Sequence, residues 1–222
     1  MDQHPTSYPS VADVARAREL LQTTFPRELV DHIFDLARYW PRVVSATKDN
    51  RTTDITAKSS VCAEAIVITA DSAVSLPSSN WLNPPRVRMV KFVTHSHDQG
   101  WGGNHLVQGS YKECWSWFEV SILRLNKDTG AYSEISVNGK QRLFVQSNAH
   151  ATSATAIHEV EWEEDSNEDD DNYGKKGTGR GGGRGFVKAM QPGDKISLVA
   201  IARFPGWANI VEFAQIEVYY SV

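Results

Sequence analysis

"CWSWFEVSIL", residues 114–123, alternates in a way that only an extended chain uses. On a strand, Cys114, Ser116, Phe118, Val120 and Ile122 fall on one side, and Trp115, Trp117, Glu119 and Ser121 on the other. The first set is a core face. The second places two indoles beside a carboxylate, which does not suit a face that is merely solvated. Either a further layer covers those rings, the N-terminal helices being the candidate, or they form a platform. The same texture of short apolar runs and period-2 alternation continues on both sides of this stretch. It gives candidate strands at 43–47, 53–57, 64–70, 87–94, 116–125, 131–137, 142–149, 155–162, 196–204 and 210–221. Gly, Pro, Asn and Asp separate them. "NKDTG" (126–130) and the Asn-Gly pair in "VNGK" (137–140) are hairpin signals. The pattern predicts a mainly β fold, an antiparallel β-sandwich of jelly-roll or galactose-binding-like type.

Residues 10–40 alone carry a helical period. Val11, Val14, Ala15, Arg18, Leu21 and Phe25 share one face, with Ser10 and Asp13 forming a capping start. Pro26 opens a second helix whose apolar stripe is Leu29, Ile33, Leu36 and Ala37, and Trp40-Pro41 ends it. Two short N-terminal helices therefore precede the sandwich, with 1–41 as a helical segment and 42–222 as the β domain.

The net charge of −4 over 222 residues lacks the basic footprint of a nucleic-acid or membrane-surface protein. No apolar run is long enough to span a bilayer, and the first residues do not read as a secretory signal. The expected location is cytoplasmic or nuclear, with Cys62 and Cys114 as reduced core thiols. An acidic block from Glu159 to Asp171 is followed by a Gly-rich basic block from Lys175 to Arg184, and 164–184 is expected to be a disordered loop. Gly177, Gly179 and Gly182 satisfy a GxGxxG search, but the stretch does not open a helix within a βαβ unit.

His95 and His97 stand two apart and point to one side of a continuing strand. A cupin-like metal-dependent enzyme using His95 and His97, with His150 as the distant ligand, is the alternative reading of this region; Asp98, His105 and Glu113 are further oxygen or nitrogen donors. The Glu that should follow the His pair is missing before Glu113. No GxSxG elbow, HExxH or P-loop occurs, no catalytic residue is assigned, and no cofactor is expected.

The stronger reading is a non-catalytic binding module. Trp101 lies in "HDQGWGGN", where Gly100, Gly102 and Gly103 imply a loop. Asp98, Gln99 and Asn104 surround it with acceptors and amide donors, a set suited to a hydroxyl-rich ligand or a peptide. "RFPGWANIV" repeats the composition with Trp207 and Asn209. Both Trp-bearing turns can lie at one end of a sandwich as binding loops, or close it as structural corners. The expected ligand-binding set is Asp98, Gln99, Trp101, Asn104, Trp207 and Asn209, with Trp115 and Trp117 on the neighbouring strand.

"FPRELVDHIFDLARYW" resembles the start of an F-box, through Phe25-Pro26-Arg27-Glu28-Leu29 and Ile33-Phe34; the remainder of that motif is missing after Trp40. The resemblance implies a ubiquitin-ligase scaffold as partner. "SHDQGW", "SWFEV", "NAHA", "HEVEW" and "FPGWANIVEFAQIEVYY" together are similar to a β-sandwich family of fungal intracellular proteins without an assigned reaction. Glycan-recognising F-box proteins, whose sandwich reads sugars through loops at one end, are similar in architecture.

Overall fold

Val11–Gln22 (α1) and Arg27–Leu36 (α2) precede ten strands: Arg42–Ala46 (β1), Thr53–Thr56 (β2), Cys62–Asp71 (β3), Arg86–Asp98 (β4), Ser116–Leu125 (β5), Tyr132–Glu134 (β6), Leu143–Ser147 (β7), Ala156–Glu163 (β8), Lys195–Arg203 (β9) and Ala208–Ser221 (β10). A short helix, Phe186–Ala189 (α3), lies between β8 and β9. The computed structural model describes residues 8–47, 52–57, 62–71, 85–166 and 177–221.

The strands form two antiparallel five-stranded sheets, packed as a sandwich. One runs β1-β10-β4-β8, with β2 also on β10; the other runs β3-β9-β5-β6, with β7 also on β5. β1 pairs with the 215–219 end of β10 and β2 with its 208–211 end, so the two share one lane. β6 and β7 likewise divide one lane beside β5. Each sheet thus has four lanes, and the first lane pairs with the last, the second with the second-last, and so inward to β5 with β6 and β7. That is one long hairpin rolled up, the strand order of a jelly roll. All ten strands coincide with runs of alternation in the sequence.

Alternation explains the core. Val90 and Phe92 of β4, Ile216 and Val218 of β10, Phe118, Val120 and Ile122 of β5, and Ile196 and Leu198 of β9 point between the sheets and are buried. Burying one such side chain is worth roughly 1.5–3 kcal/mol. The hairpin signals hold as well: Asn138 and Gly139 adopt φ of +52° and +82° between paired Val137 and Lys140, the left-handed pair of a tight hairpin.

The helices differ from expectation in the face they bury. The Ser10–Asp13 capping box forms, but α2 buries Val30 and Phe34 against Val14 of α1. Leu29, Ile33 and Leu36, the expected inward stripe, are exposed. Attachment to the sandwich runs through Trp40, which packs on Met89 and Tyr219, and through Asp35, bonded to Trp40 Nε1 at 3.1 Å and to Arg88 at 2.6 Å. Met89 and Tyr219 lie on the outer face of the β1-β10-β4-β8 sheet, so the helices sit on the sheet that does not contain Trp115 and Trp117.

A second correction concerns the Gly-rich run. The acidic positions 167–171 lie outside the described residues, but 177–184 is packed structure. Ser147 N–H donates to Gly179 O at 2.8 Å, Gly181 N–H to Val145 O at 2.9 Å, and Trp162 Nε1–H to Gly181 O at 2.8 Å. Gly179, Gly181 and Gly183 are buried, and a Cβ on Gly183 (φ +64°) would fall inside the Trp162 ring. Composition suggested solvated chain; the glycines are instead there so that backbone can lie flat against an indole. Trp162 in turn packs edge-on with Phe92 and Phe186 at 5.0 and 5.2 Å.

Beneath Gly179, Tyr111 OH meets His158 Nε2 at 3.2 Å, while His158 Nδ1, Thr94 Oγ1 and Ser147 Oγ are buried without hydrogen-bond partners. Burial, aided by Arg180, lowers the His158 pKa from 6.5 to about 4. Between these values the unfolded chain binds a proton that the folded chain does not, so stability falls as pH falls through this window. We expect the loss of stability to be about 3 kcal/mol, complete below pH 4 and absent above 6.5. Denaturant unfolding from pH 7 to 4 should show this loss relative to His158→Phe, and the His158 ring should titrate near 4 by NMR. Titration near 6.5 would contradict the assignment.

Candidate functional site

β4 does not stop at Thr94 as its alternation suggested. It continues through His97 to Asp98, which pairs with Asn209 at the start of β10. Asp98 and Asn209 are therefore strand residues with no solvent exposure, not loop residues presented to a ligand. Asp98 Oδ1 accepts from the N–H of Gly100 and of Thr152, both at 2.8 Å, and Oδ2 accepts from Ala151 N–H at 2.7 Å. Burial pushes this carboxyl's pKa up, against the pull of those three N–H groups. One carboxylate thus fastens two loops, 99–115 and 148–155, to the end of the sandwich.

Asn209 joins the two sheets. Its Nδ2 donates to Trp117 O at 2.9 Å, and its Oδ1 accepts from Asn148 Nδ2 at 3.0 Å. Asn148 also bonds Ser96 Oγ at 2.7 Å and Ser116 Oγ at 2.9 Å. Gln99 is a brace: Oε1 accepts from Ala208 N–H at 3.0 Å and Nε2 donates to Trp101 O at 2.6 Å. Asn104 Oδ1 accepts from Leu106 N–H, and its Nδ2 donates to the Glu113 carboxylate at 3.0 Å. Each of the four polar residues predicted for ligand contact makes hydrogen bonds within the chain.

The rings behave differently. Trp101 is 61% exposed, and its indole stands over the 205–206 turn: a Cβ on Gly206 would lie 2.9 Å from Trp101 Cη2. The two Trp-bearing turns do meet at one end. Trp207, half-buried, lies tilted against His150 with ring centres 5.4 Å apart. Phe204, which sequence reasoning passed over, is exposed and meets Trp115 edge-on at 4.8 Å, with the Arg203 guanidinium 5.4 Å from its ring centre. Only the position of Phe204 before Pro205-Gly206 hinted at its display.

Backbone strain collects here. Among described residues, five other than glycine have positive φ, and Glu113, Ala151 and Phe204 (+53°, +53° and +70°) are at this end. For a bulky residue such as Phe204 the left-handed conformation costs about 1–2 kcal/mol. Strain of this kind persists where surroundings enforce it, and it concentrates at functional sites.

Trp115 and Trp117 do not form a platform. Trp117 is buried in a cluster with Phe144, Val199 and Ile201, and Trp115 packs against that cluster. Their sheet face is covered, though not by the N-terminal helices. Cys114 is buried and its thiol is pushed up to about 12, chiefly by burial, so it is inert; Cys62, expected in the core, is exposed on β3.

The metal alternative is not assembled. His95 packs on Phe213 at 4.9 Å on the outer sheet face, His97 Nδ1–H donates to Asp98 O at 2.6 Å, and His105 lies in an exposed turn. His150 is buried at the loop end. Among the described residues no three His, Cys, Asp or Glu side chains are grouped so as to hold a metal ion. Among them, too, no helix is long and apolar enough to cross a membrane.

No family model matches the sequence, and no curated protein matches it. Two solved structures are similar in part. A structure of infectious bursal disease virus, Gx strain, is 10% identical with a TM-score of 0.23, over 82% of this chain and 42% of that one. The infectious bursal disease virus VP2 subviral particle is 10% identical with a TM-score of 0.22, over 82% and 41%. The chain spans about two fifths of the length of those structures.

Proposed function

We propose that this protein is a non-catalytic interaction module that takes a glycan or a peptide on the ring-lined end of the sandwich. The observation that carries this reading is Trp101: a large indole held out in solvent by a loop whose polar groups make hydrogen bonds within the chain. Exposing such a ring in water is unfavourable, and a loop this well braced has no need of it for folding. Presented on a loop anchored through Asp98 and Gln99, it offers contact area at little cost in side-chain entropy. Phe204 and Trp207 extend the surface, while Asp98, Gln99, Asn104 and Asn209 act one layer below as supports.

A second surface is favoured by a separate observation. Leu29, Ile33 and Leu36 form an outward stripe on α2, and Leu20 of α1 and Phe25 between the helices are exposed as well. A stripe with this spacing suits a helical partner, and a ligase scaffold is the partner implied by the F-box-like segment.

Trp101→Ala should weaken binding to a hit from a glycan and peptide array by about 2 kcal/mol or more with melting unchanged. Trp207→Ala, which removes the ring on His150, should cost about 3 kcal/mol of folding stability. If both variants unfold, the turns are structural corners and the site lies elsewhere. On α2, Leu29→Ala and Ile33→Ala should change stability by no more than about 0.5 kcal/mol while a ligase scaffold is lost from pull-downs. Phe34→Ala should lower stability by about 3 kcal/mol. A stability loss at Leu29 without loss of the scaffold would overturn the second surface.

A further inference from the structure

His150 sits beneath the ring-lined end with an unused acceptor. It is 2% exposed, and its Nδ1 lies 2.9 Å from Glu113 O. A carbonyl only accepts, so Nδ1 carries the proton, and the tautomer with that single proton has a lone pair at Nε2. That Nε2 is buried with no hydrogen-bond partner. It faces the loop: a Cβ on Gly102 would fall 2.5 Å from it, and the Trp207 ring is 5.4 Å away. Trp101 precedes Gly102 and stands over Gly206, which precedes Trp207. The lone pair therefore lies within a closed circuit of Trp101, Gly102, His150, Trp207 and Gly206.

A buried acceptor without a donor is destabilising, a penalty that a ligand donor reaching it would remove. Gly102 covers Nε2, so a ligand donor reaches it by displacing the Gly102-Gly103 backbone, where no side chain has to move with it. Five donors of these loops are engaged: Gly100, Ala151 and Thr152 N–H on Asp98, Gln99 Nε2 on Trp101 O, and Asn104 Nδ2 on Glu113. A peptide N–H would bring its own carbonyl into a place where these donors are already committed. A sugar hydroxyl donates from a single atom, and its ring carbons can lie on an indole.

Accepting the ring-lined end as the binding surface, we infer that its ligand is a pyranose sugar, with one hydroxyl donating to His150 Nε2 while the sugar face stacks on Trp101.

The test uses the full chain and four probes: methyl β-glucopyranoside, methyl β-galactopyranoside, methyl α-mannopyranoside and N-acetylglucosamine. Each is titrated by saturation-transfer NMR and calorimetry, beside its deoxyfluoro analogues, in which fluorine accepts but cannot donate. One glycoside should bind, and fluorine at one hydroxyl should weaken it about tenfold or more. His150→Asn keeps a donor at the Nδ1 position but loses the acceptor; it should weaken the parent sugar by the same factor and abolish the difference between parent and fluoro analogue. His150→Gln places an amide oxygen near the Nε2 position and should restore binding to within about threefold of wild type. Circular dichroism and melting of each variant establish that the fold persists. Absence of binding by all four sugars, or binding indifferent to His150→Asn in a folded variant, overturns the inference. A peptide hit that needs Trp101, with no sugar bound, overturns the sugar assignment and leaves the ring-lined surface standing. Ligand binding unchanged in Trp101→Ala overturns both.

Discussion

One carboxylate organises the loop end of this protein. Asp98 accepts N–H groups from Gly100, Ala151 and Thr152 while sitting fully inside the sandwich. A buried charge needs such bonds, and three amides aimed at two oxygens are what make it tolerable. Beside it the amides of Asn148 and Asn209 tie the two sheets together. With the loops so fastened, Glu113, Ala151 and Phe204 can be held at positive φ, and the rings of Trp101 and Phe204 can stay in solvent.

The division of labour at this end follows from geometry. β4 runs straight into the loop, so a residue at its last inward position is buried and one just past it is not. Asp98 and Trp101, three positions apart, consequently have opposite roles. The same holds where β9 ends and β10 begins: Phe204 is displayed, Asn209 is buried. Polar residues serve as supports and rings as surface, the reverse of a site in which directional side chains point at the ligand. His150 is the exception, a polar group at the floor with one nitrogen fixed and the other unused.

Much of the fold was legible in the sequence because alternation is a direct record of a two-faced strand. Val90 and Phe92, or Phe118, Val120 and Ile122, announce an inner face wherever they occur. Burial of polar side chains was not legible. Nothing local distinguishes an Asp that contacts solvent from one that receives two of its three amides from a segment more than fifty residues away, as Asp98 does from Ala151 and Thr152. The Gly-rich run misled for a related reason: Gly183 looks like flexible chain until Trp162, a distant partner, is seen to need its missing side chain. On α2 the period was right and the face was wrong. Val30 and Phe34 make as good a stripe as Leu29 and Ile33, and only the position of α1 selects between them.

The central claim is that Asp98 holds the loop end locally, apart from the apolar core. Amide hydrogen exchange on Asp98→Asn tests it most directly. The account predicts that the Gly100, Ala151 and Thr152 amides lose protection by about a hundredfold, corresponding to roughly 3 kcal/mol of local stability, while those of Val90 in β4 and Val218 in β10 keep theirs. Unchanged protection at Gly100, Ala151 and Thr152, or an equal loss throughout both sheets, would contradict it.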